Sequence, residues 1–254
     1  MKKLQFSHIM ITKSIRTAKI HYRLIFYFSS ICLISIILFF LWQWKNNQLF
    51  GNREILKAIV QVIHTDKTGT AFFIRPNYLL TAAHVAGAKG NEVQLLISQK
   101  KIKAKVILSE YDKLKNYMDE KGIYENGIAY DWALLKVIDD YKSPYYLKLG
   151  DSKKASSSDP VIVAGYPKGI KDIATPGGNV AFIDRQLIKI NQKLDPGYSG
   201  SPLLQGNTLK ENCQVIGIIS ANIIDSAFVS MGGVAVTIDT VLEQSKKKGT
   251  PLKK

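Results

Sequence analysis

From Ala58 onward the chain alternates short apolar or β-branched stretches with Gly, Pro, Asn, Asp and Lys. AIVQVIHT, GTAFFI, YLLTAAH, EVQLLIS, KAKVILSE, WALLKVI, PVIVAGYP, RQLIKINQ, QVIGIISA and GVAVTID each have the length and composition of a strand. Only Thr237–Lys248 reads as a helix in this part. Strands without helical periodicity between them predict an all-β sandwich or barrel rather than βαβ units. No repeat of fixed period is present. Residues 109–130, SEYDKLKNYMDEKGIYENGIAY, are polar and tyrosine-rich, and predict a long surface loop with a helical turn. That loop is either a solvated insertion or an overhang above whatever Asp131 helps to build. Asp140–Ser158, rich in Lys, Ser and Tyr, predicts a connector between two lobes.

Ahead of the strands, LIFYFSSICLISIILFFLWQW (Leu24–Trp44) carries no charge in 21 residues. At about 1.5 Å per helical residue it reaches roughly 30 Å, the hydrocarbon thickness of a bilayer. Trp42, Trp44 and Lys45 stand where an interfacial belt would. A buried core helix and the apolar part of a cleaved signal peptide are the alternatives. The length disfavours both and no small-x-small cleavage site follows, so an uncleaved anchor is expected. Lys2, Lys3, Lys13, Arg16, Lys19 and Arg23 precede the run with no Asp or Glu among them, against Lys45 and Arg53 just after it. That asymmetry predicts a cytoplasmic N-terminus and an extracytoplasmic remainder, with a bacterial inner membrane as the setting. The expected division is a basic tail over 1–23, the anchor over 24–44, a linker over 45–57, β lobes over 58–145 and 146–245, and a basic tail over 246–254.

The formal charge of +15 would ordinarily raise nucleic acid as a partner. The excess, however, is largely terminal: the N-terminal cluster is matched by Lys246, Lys247, Lys248, Lys253 and Lys254, and neither tail has aromatic interleaving. Nucleic-acid binding is therefore not expected. Cys32 lies in the apolar run and Cys213 is the sole other thiol, so the β region has no internal disulfide and depends on core burial. A bacterial envelope tolerates that economy.

DPGYSGSPLL (195–204) places two serines between prolines and glycines, directly before an apolar run. A serine hydroxyl is a poor nucleophile without a base, and the base needs a carboxylate to fix its tautomer. Of four histidines, His8 and His21 precede the anchor, and His64 sits in an alternating strand pattern. His84 ends an apolar strand in YLLTAAHVAG, a way to hold an imidazole at the rim of a packed barrel. Alone, such a histidine is more often a satisfied structural residue. Asp131, in AYDWALLKV, precedes an apolar strand where burial would demand a partner for its charge. By itself it also reads as a strand-capping turn residue.

Together LLTAAHV, DWALLKV and GYSGSPLL resemble the three signature segments of the trypsin-like (chymotrypsin-fold) serine endopeptidases, in that family's order of His, Asp and Ser. The gaps of 47 residues from His84 to Asp131 and 68 from Asp131 to Ser199 suit it. TGTAFFI and AGYPKG add a resemblance to the bacterial HtrA/Do-like and V8-like members. The resemblance implies two antiparallel six-stranded β-barrels with the active site in the cleft between them, and a C-terminal helix. It implies Ser199 as nucleophile, His84 as base and Asp131 as its orienting carboxylate. Ser201 is then structural. The N–H groups of Gly197 and Ser199 form the oxyanion hole. In IGIISAN, Ser220 supports the Asp, and Ser220, Ala221 and Asn222 offer the edge that pairs with an extended peptide.

Departures from the family matter too. Digestive members have an Asp where Tyr198 stands, and no activation-site N-terminus is found, so no zymogen cleavage is expected. The chain stops soon after the protease helix, so no PDZ domain is expected. Lys193, Leu194 and Ile219 occupy specificity positions, and with Leu and Ile where glutamate-specific members place Thr and His, a small or medium aliphatic P1 residue is expected. The HtrA resemblance suggests a homotrimer, although nothing in NNQLFGNREILK encodes one. Neither a cofactor nor a metal is called for. Protein or peptide substrates are implied. The competing classes are a catalytically silent protease-fold peptide-binding module on the membrane and a membrane scaffold with a solvated β domain.

Overall fold

The structure, a computed structural model, describes residues 29–30, 32–41, 53–65, 67–118, 125–168, 170–209, 213–224, 230–250 and 252–253. The chain divides into two units, Met1–Phe50 and Gly51–Lys254. In the first, residues 29–30 and 32–41 are helical, and the apolar side chains from Leu33 to Leu41 are exposed. Among the described residues no helix is long and apolar enough to cross a membrane. The rest of the expected 24–44 span lies outside the described residues.

The second unit holds both β lobes. Strands β1 (Ile59–His64), β2 (Lys67–Arg75), β3 (Tyr78–Thr81), β4 (Glu92–Ile97), β5 (Lys100–Ser109) and β6 (Ala133–Val137) close an antiparallel barrel in the order β1-β2-β3-β6-β5-β4. Alternation decides its inside: on β5 the exposed Lys101, Lys103 and Lys105 alternate with the more buried Ile102, Ala104 and Val106. β2 departs from alternation, being buried from Gly69 to Ile74. Thr70 on this strand meets the second lobe, its N–H donating to Ser199 O and its Oγ1 to Gly197 O.

The second lobe comprises β7 (Lys148–Leu149), β8 (Pro160–Val163), β9 (Gly177–Ile183), β10 (Leu187–Ile190), β11 (Pro202–Gln205), β12 (Gln214–Ile224) and β13 (Ser230–Thr237). Six of them run β11-β8-β9-β10-β13-β12 and close through a β11–β12 pairing. The six-stranded antiparallel expectation thus holds for the closed part, but β7 adds a short parallel pairing to β12. The helices are α1 (Ala83–Ala86), α2 (Tyr111–Lys115) and α3 (Ile238–Lys247).

The pattern of apolar stretches located ten strands and missed β7, β9 and β11. β9, GGNVAFI, buries only Val180 fully and opens with two glycines, so it reads as a turn. β11 begins at Pro202, a residue tolerated at the first position of a strand because its missing N–H is not needed there. The predicted helix over 237–248 is α3, with Thr237 as its N-cap: the Thr240 N–H donates to Thr237 Oγ1 at 3.3 Å. The 109–130 stretch forms α2 and a 3-10 helix over Glu125–Tyr130, pinned by the fully buried Leu114. The predicted connector is packed down: the N–H of Ser143 donates to Pro76 O at 2.7 Å, and that of Leu147 to Phe73 O at 2.8 Å.

Candidate active site

β3 delivers an apolar strand into α1, and α1 begins one residue before His84. The imidazole is therefore fixed at the barrel rim, with its side chain 21% exposed, while the Asp131 side chain is fully buried. Asp131 stands just before β6, whose Ala133, Leu134 and Leu135 fill the barrel. A buried carboxylate is stable only when its oxygens are occupied. His84 Nδ1 donates to Asp131 Oδ2 at 2.7 Å, and the His84 backbone N–H donates to Oδ1 at 2.8 Å. The Ser220 hydroxyl donates a short hydrogen bond to Oδ2.

Burial alone would raise the Asp131 carboxyl. The charge of the His84 ring, the bonds from His84 Nδ1 and Ser220, and the His84 N–H outweigh it and hold Asp131 below its ordinary value. An ionised Asp131 is acceptor-only, so Nδ1 carries the ring's proton in neutral His84 and Nε2 keeps its lone pair.

Ser199 is half-buried. Its hydroxyl donates to the Ser220 carbonyl at 3.3 Å, a long bond that holds it weakly. Among the described residues Ser199 is thus joined to the His84–Asp131 pair through Ser220, not by a direct hydrogen bond to the ring. The turn bearing it is gripped by the first barrel. The Thr70 N–H donates to Ser199 O at 2.9 Å, Thr70 Oγ1 donates to Gly197 O at 2.9 Å, and Thr81 Oγ1 donates to Thr70 O at 2.7 Å. Sequence reasoning missed Thr70 and Thr81; the TGTAFFI segment contains Thr70 and the LLTAAHV segment contains Thr81, but neither resemblance pointed at these contacts.

Gly197 has φ +105°, the region that suits glycine. A Cβ there would lie 2.4 Å from Tyr166 O and 2.8 Å from Lys168 N. The 166–168 segment backs the loop, with the Lys168 N–H donating to Pro196 O at 2.6 Å. Among the described residues no group accepts a hydrogen bond from the N–H of Gly197 or of Ser199. Two adjacent unspent donors can receive an anion. Tyr198 is packed into the second barrel's core; burial and then nearby Asp195 push its phenol above its ordinary value, so it stays neutral. Ser201 is fully buried, its Oγ without a hydrogen-bond partner among the described residues, and it cannot serve the cleft.

The remaining predicted positions separate by burial. Leu194 and Ile219 lie in the apolar cluster with Ile190 and Tyr198, whereas Lys193 is exposed. A Cβ on Gly233 would lie 2.7 Å from Leu194 Cδ1, so the cluster's wall is close-packed there. Ala221 and Asn222 belong to β12 and face Val234 and Gly233 of β13. β11 and β7 cover the other edge of β12 only at 214–218, and Ile219 meets the 200–201 turn. Among the described strands, none pairs with that edge beyond Ile219.

A sequence profile of the trypsin-like peptidase domain matches residues 69–218, which is over half of the chain and takes in His84, Asp131 and Ser199. No curated protein gives a significant match. Among solved structures, an inactive form of Rv3671c from M. tuberculosis H37Rv is similar at 21% identity and TM-score 0.58, over 82% of this chain and 96% of that one. A human pathogenic astrovirus serine protease matches at 22% identity and TM-score 0.52, over 75% of this chain and 94% of its own. The serine endoprotease from Yersinia pestis matches at 16% and 0.58, over 77% and 64%. At such identities the likeness to these structures is one of fold. With the two barrels in place and the family profile spanning both, this chain belongs to the trypsin-like peptidase family and is a serine endopeptidase.

Proposed function

We propose that the chain is a membrane-anchored endopeptidase that cuts extracytoplasmic proteins through Ser199, His84 and Asp131. The observation that carries this reading is the fully buried Asp131 carboxylate, which accepts from His84 Nδ1, from the His84 backbone N–H and from the Ser220 hydroxyl while Ser199 rests on the same Ser220. Rotation of the weakly held Ser199 hydroxyl toward Nε2 starts the reaction. Nε2 takes the Oγ proton as Oγ bonds to the scissile carbonyl carbon, and Asp131 stabilises the imidazolium. The carbonyl oxygen becomes an anion held by the N–H groups of Gly197 and Ser199. The C–N bond then breaks, the amine leaves with the proton from Nε2, and an ester on Ser199 remains. Water, deprotonated by His84, hydrolyses that ester and restores the hydroxyl.

An extended substrate pairs with the edge of Ser220–Asn222, which gives affinity largely independent of side chains. Leu194 and Ile219 make the neighbouring core apolar, in keeping with an aliphatic P1 residue. A fluorophosphonate probe tests the reading: full-length protein labels, and Ser199→Ala does not. Absence of labelling in folded wild-type protein would remove the assignment.

Gly197→Ala tests the oxyanion site. The added methyl meets the Tyr166 carbonyl and positive φ is lost, so the N–H turns away. Turnover is expected to fall about a hundredfold to a thousandfold, the scale of one lost donor, with the protein still folded by circular dichroism. Cys213, whose thiol donates to Thr208 O at 3.2 Å, acts as a small buried group. Cys213→Ser is expected to leave hydrolysis rates near wild type; a loss like that of the Ser199 variant would give the thiol a chemical role. For the anchor, the exposed apolar side chains over 32–41 support burial in lipid. The full chain is expected to stay with membranes after alkaline carbonate extraction, and release into the supernatant would exclude a spanning segment.

A further inference from the structure

Asp131 is secured on two sides, and only its carboxylate side belongs to the mechanism above. Behind it, the backbone turns tightly: the Asp131 N–H donates to Ile128 O at 2.9 Å and the Trp132 N–H to Tyr130 O at 3.0 Å. Trp132 is fully buried, so its indole N–H requires an acceptor. That acceptor comes from α3: Trp132 Nε1 donates to Gln244 Oε1 at 2.6 Å. The other end of the same amide, Gln244 Nε2, donates to Ala129 O at 3.2 Å. One side chain thus grips residues on both flanks of Asp131, from a helix more than a hundred positions away.

Four residues on, at the C-cap of α3, Lys248 continues the grip. Its Nζ lies 2.9 Å from Oε1 of the buried Glu110 and donates to Ser109 O at 3.2 Å. The Glu110 N–H donates to Trp132 O at 3.4 Å, and Ser109 Oγ donates to Gly87 O at 2.9 Å, at the end of α1. The helix that ends the second lobe therefore braces the segments carrying Asp131 and His84.

We propose that Gln244 is a positioning residue for catalysis: its amide, clamped between Ala129 O and the Trp132 indole, sets the Asp131 carboxylate against His84. This rests on the catalytic reading of His84, Asp131 and Ser199. Displacement of an orienting group by a fraction of an ångström lowers the rate of the chemical step while leaving binding nearly unchanged. The effect belongs to Gln244 rather than to α3 as a whole, because the helix also has its own cap and the Asp239 bonds to the Ser152 N–H and Oγ, at 2.8 and 2.6 Å.

The test uses the full chain in detergent and a fluorophosphonate as probe, separating the maximal inactivation rate from the half-saturating probe concentration. Gln244→Met keeps the length and removes both hydrogen bonds; its maximal rate is expected to drop about tenfold with half-saturation unchanged. Trp132→Phe, which removes only the indole N–H, is expected to lose part of that and serves where Gln244→Met does not fold. The low-field proton resonance of the His84 Nδ1–Asp131 bond is expected to move in both variants. A folded Gln244→Met protein with the wild-type rate and resonance, or with a change in half-saturation alone, overturns the proposal. If wild-type protein shows no Ser199-dependent labelling, the catalytic reading fails, and the resonance still decides whether Gln244 positions Asp131.

Discussion

Ser199→Ala is expected to lower turnover about a million-fold, the scale seen when the nucleophile of a serine peptidase is deleted. The reason is chemical and not structural. The hydroxyl donates only one long hydrogen bond, at 3.3 Å to Ser220 O, and the turn that bears it is held by backbone contacts the substitution leaves in place. The melting temperature of Ser199→Ala should therefore stay within a few degrees of wild type, a surface-like effect. His84→Ala should cost a similar factor, and combining the two should add little, because base and nucleophile act as one unit. Hydrolysis of fluorescent casein by purified full-length variants measures all three. Residual activity of Ser199→Ala within tenfold of wild type would place the nucleophile elsewhere.

Asp131→Asn is expected to reduce turnover at neutral pH about ten-thousandfold. The amide retains the shape but presents donors where His84 Nδ1 and the Ser220 hydroxyl already donate. The ring is then driven to the tautomer with its proton on Nε2, which cannot accept from Ser199. The same carboxylate has a second signature, in stability. Its folded value lies below the ordinary 3.8, so its contribution is complete above that pH and is lost as the pH falls through the lower folded value. Thermal unfolding followed against pH should show wild-type protein losing stability as the medium is acidified below about pH 4, and Asp131→Asn lacking that part of the loss. Equal acid slopes for the two proteins would mean that Asp131 is not ionised in the folded state.

The amino-acid sequence by itself determined most of the strands and the three segments to which the proposed chemistry is assigned. Alternation is a local property: whether Ala104 and Val106 face inward follows from their neighbours on the same strand. The His84 strand end, the Asp131 strand start and the Gly-Tyr-Ser-Gly turn are equally local, each complete within a few residues. Where the local pattern was weak, the reading failed. β9 keeps one fully buried side chain and β7 is two residues long, so their pairing partners rather than their own composition make them strands.

Only the tertiary structure decided what braces the site. Thr70 reaches Gly197 across 127 positions, and Trp132 reaches Gln244 across 112. Nothing in the residues around Gln244 marks it, since a polar residue near the end of a surface helix is ordinary. Its contact arises because the buried Trp132 indole N–H of the first lobe needs an acceptor, and the one that meets it comes from the helix at the end of the second lobe. Spacing along the polypeptide points to the proposed reacting groups, but the contacts that brace their segments are made between stretches that share no local pattern.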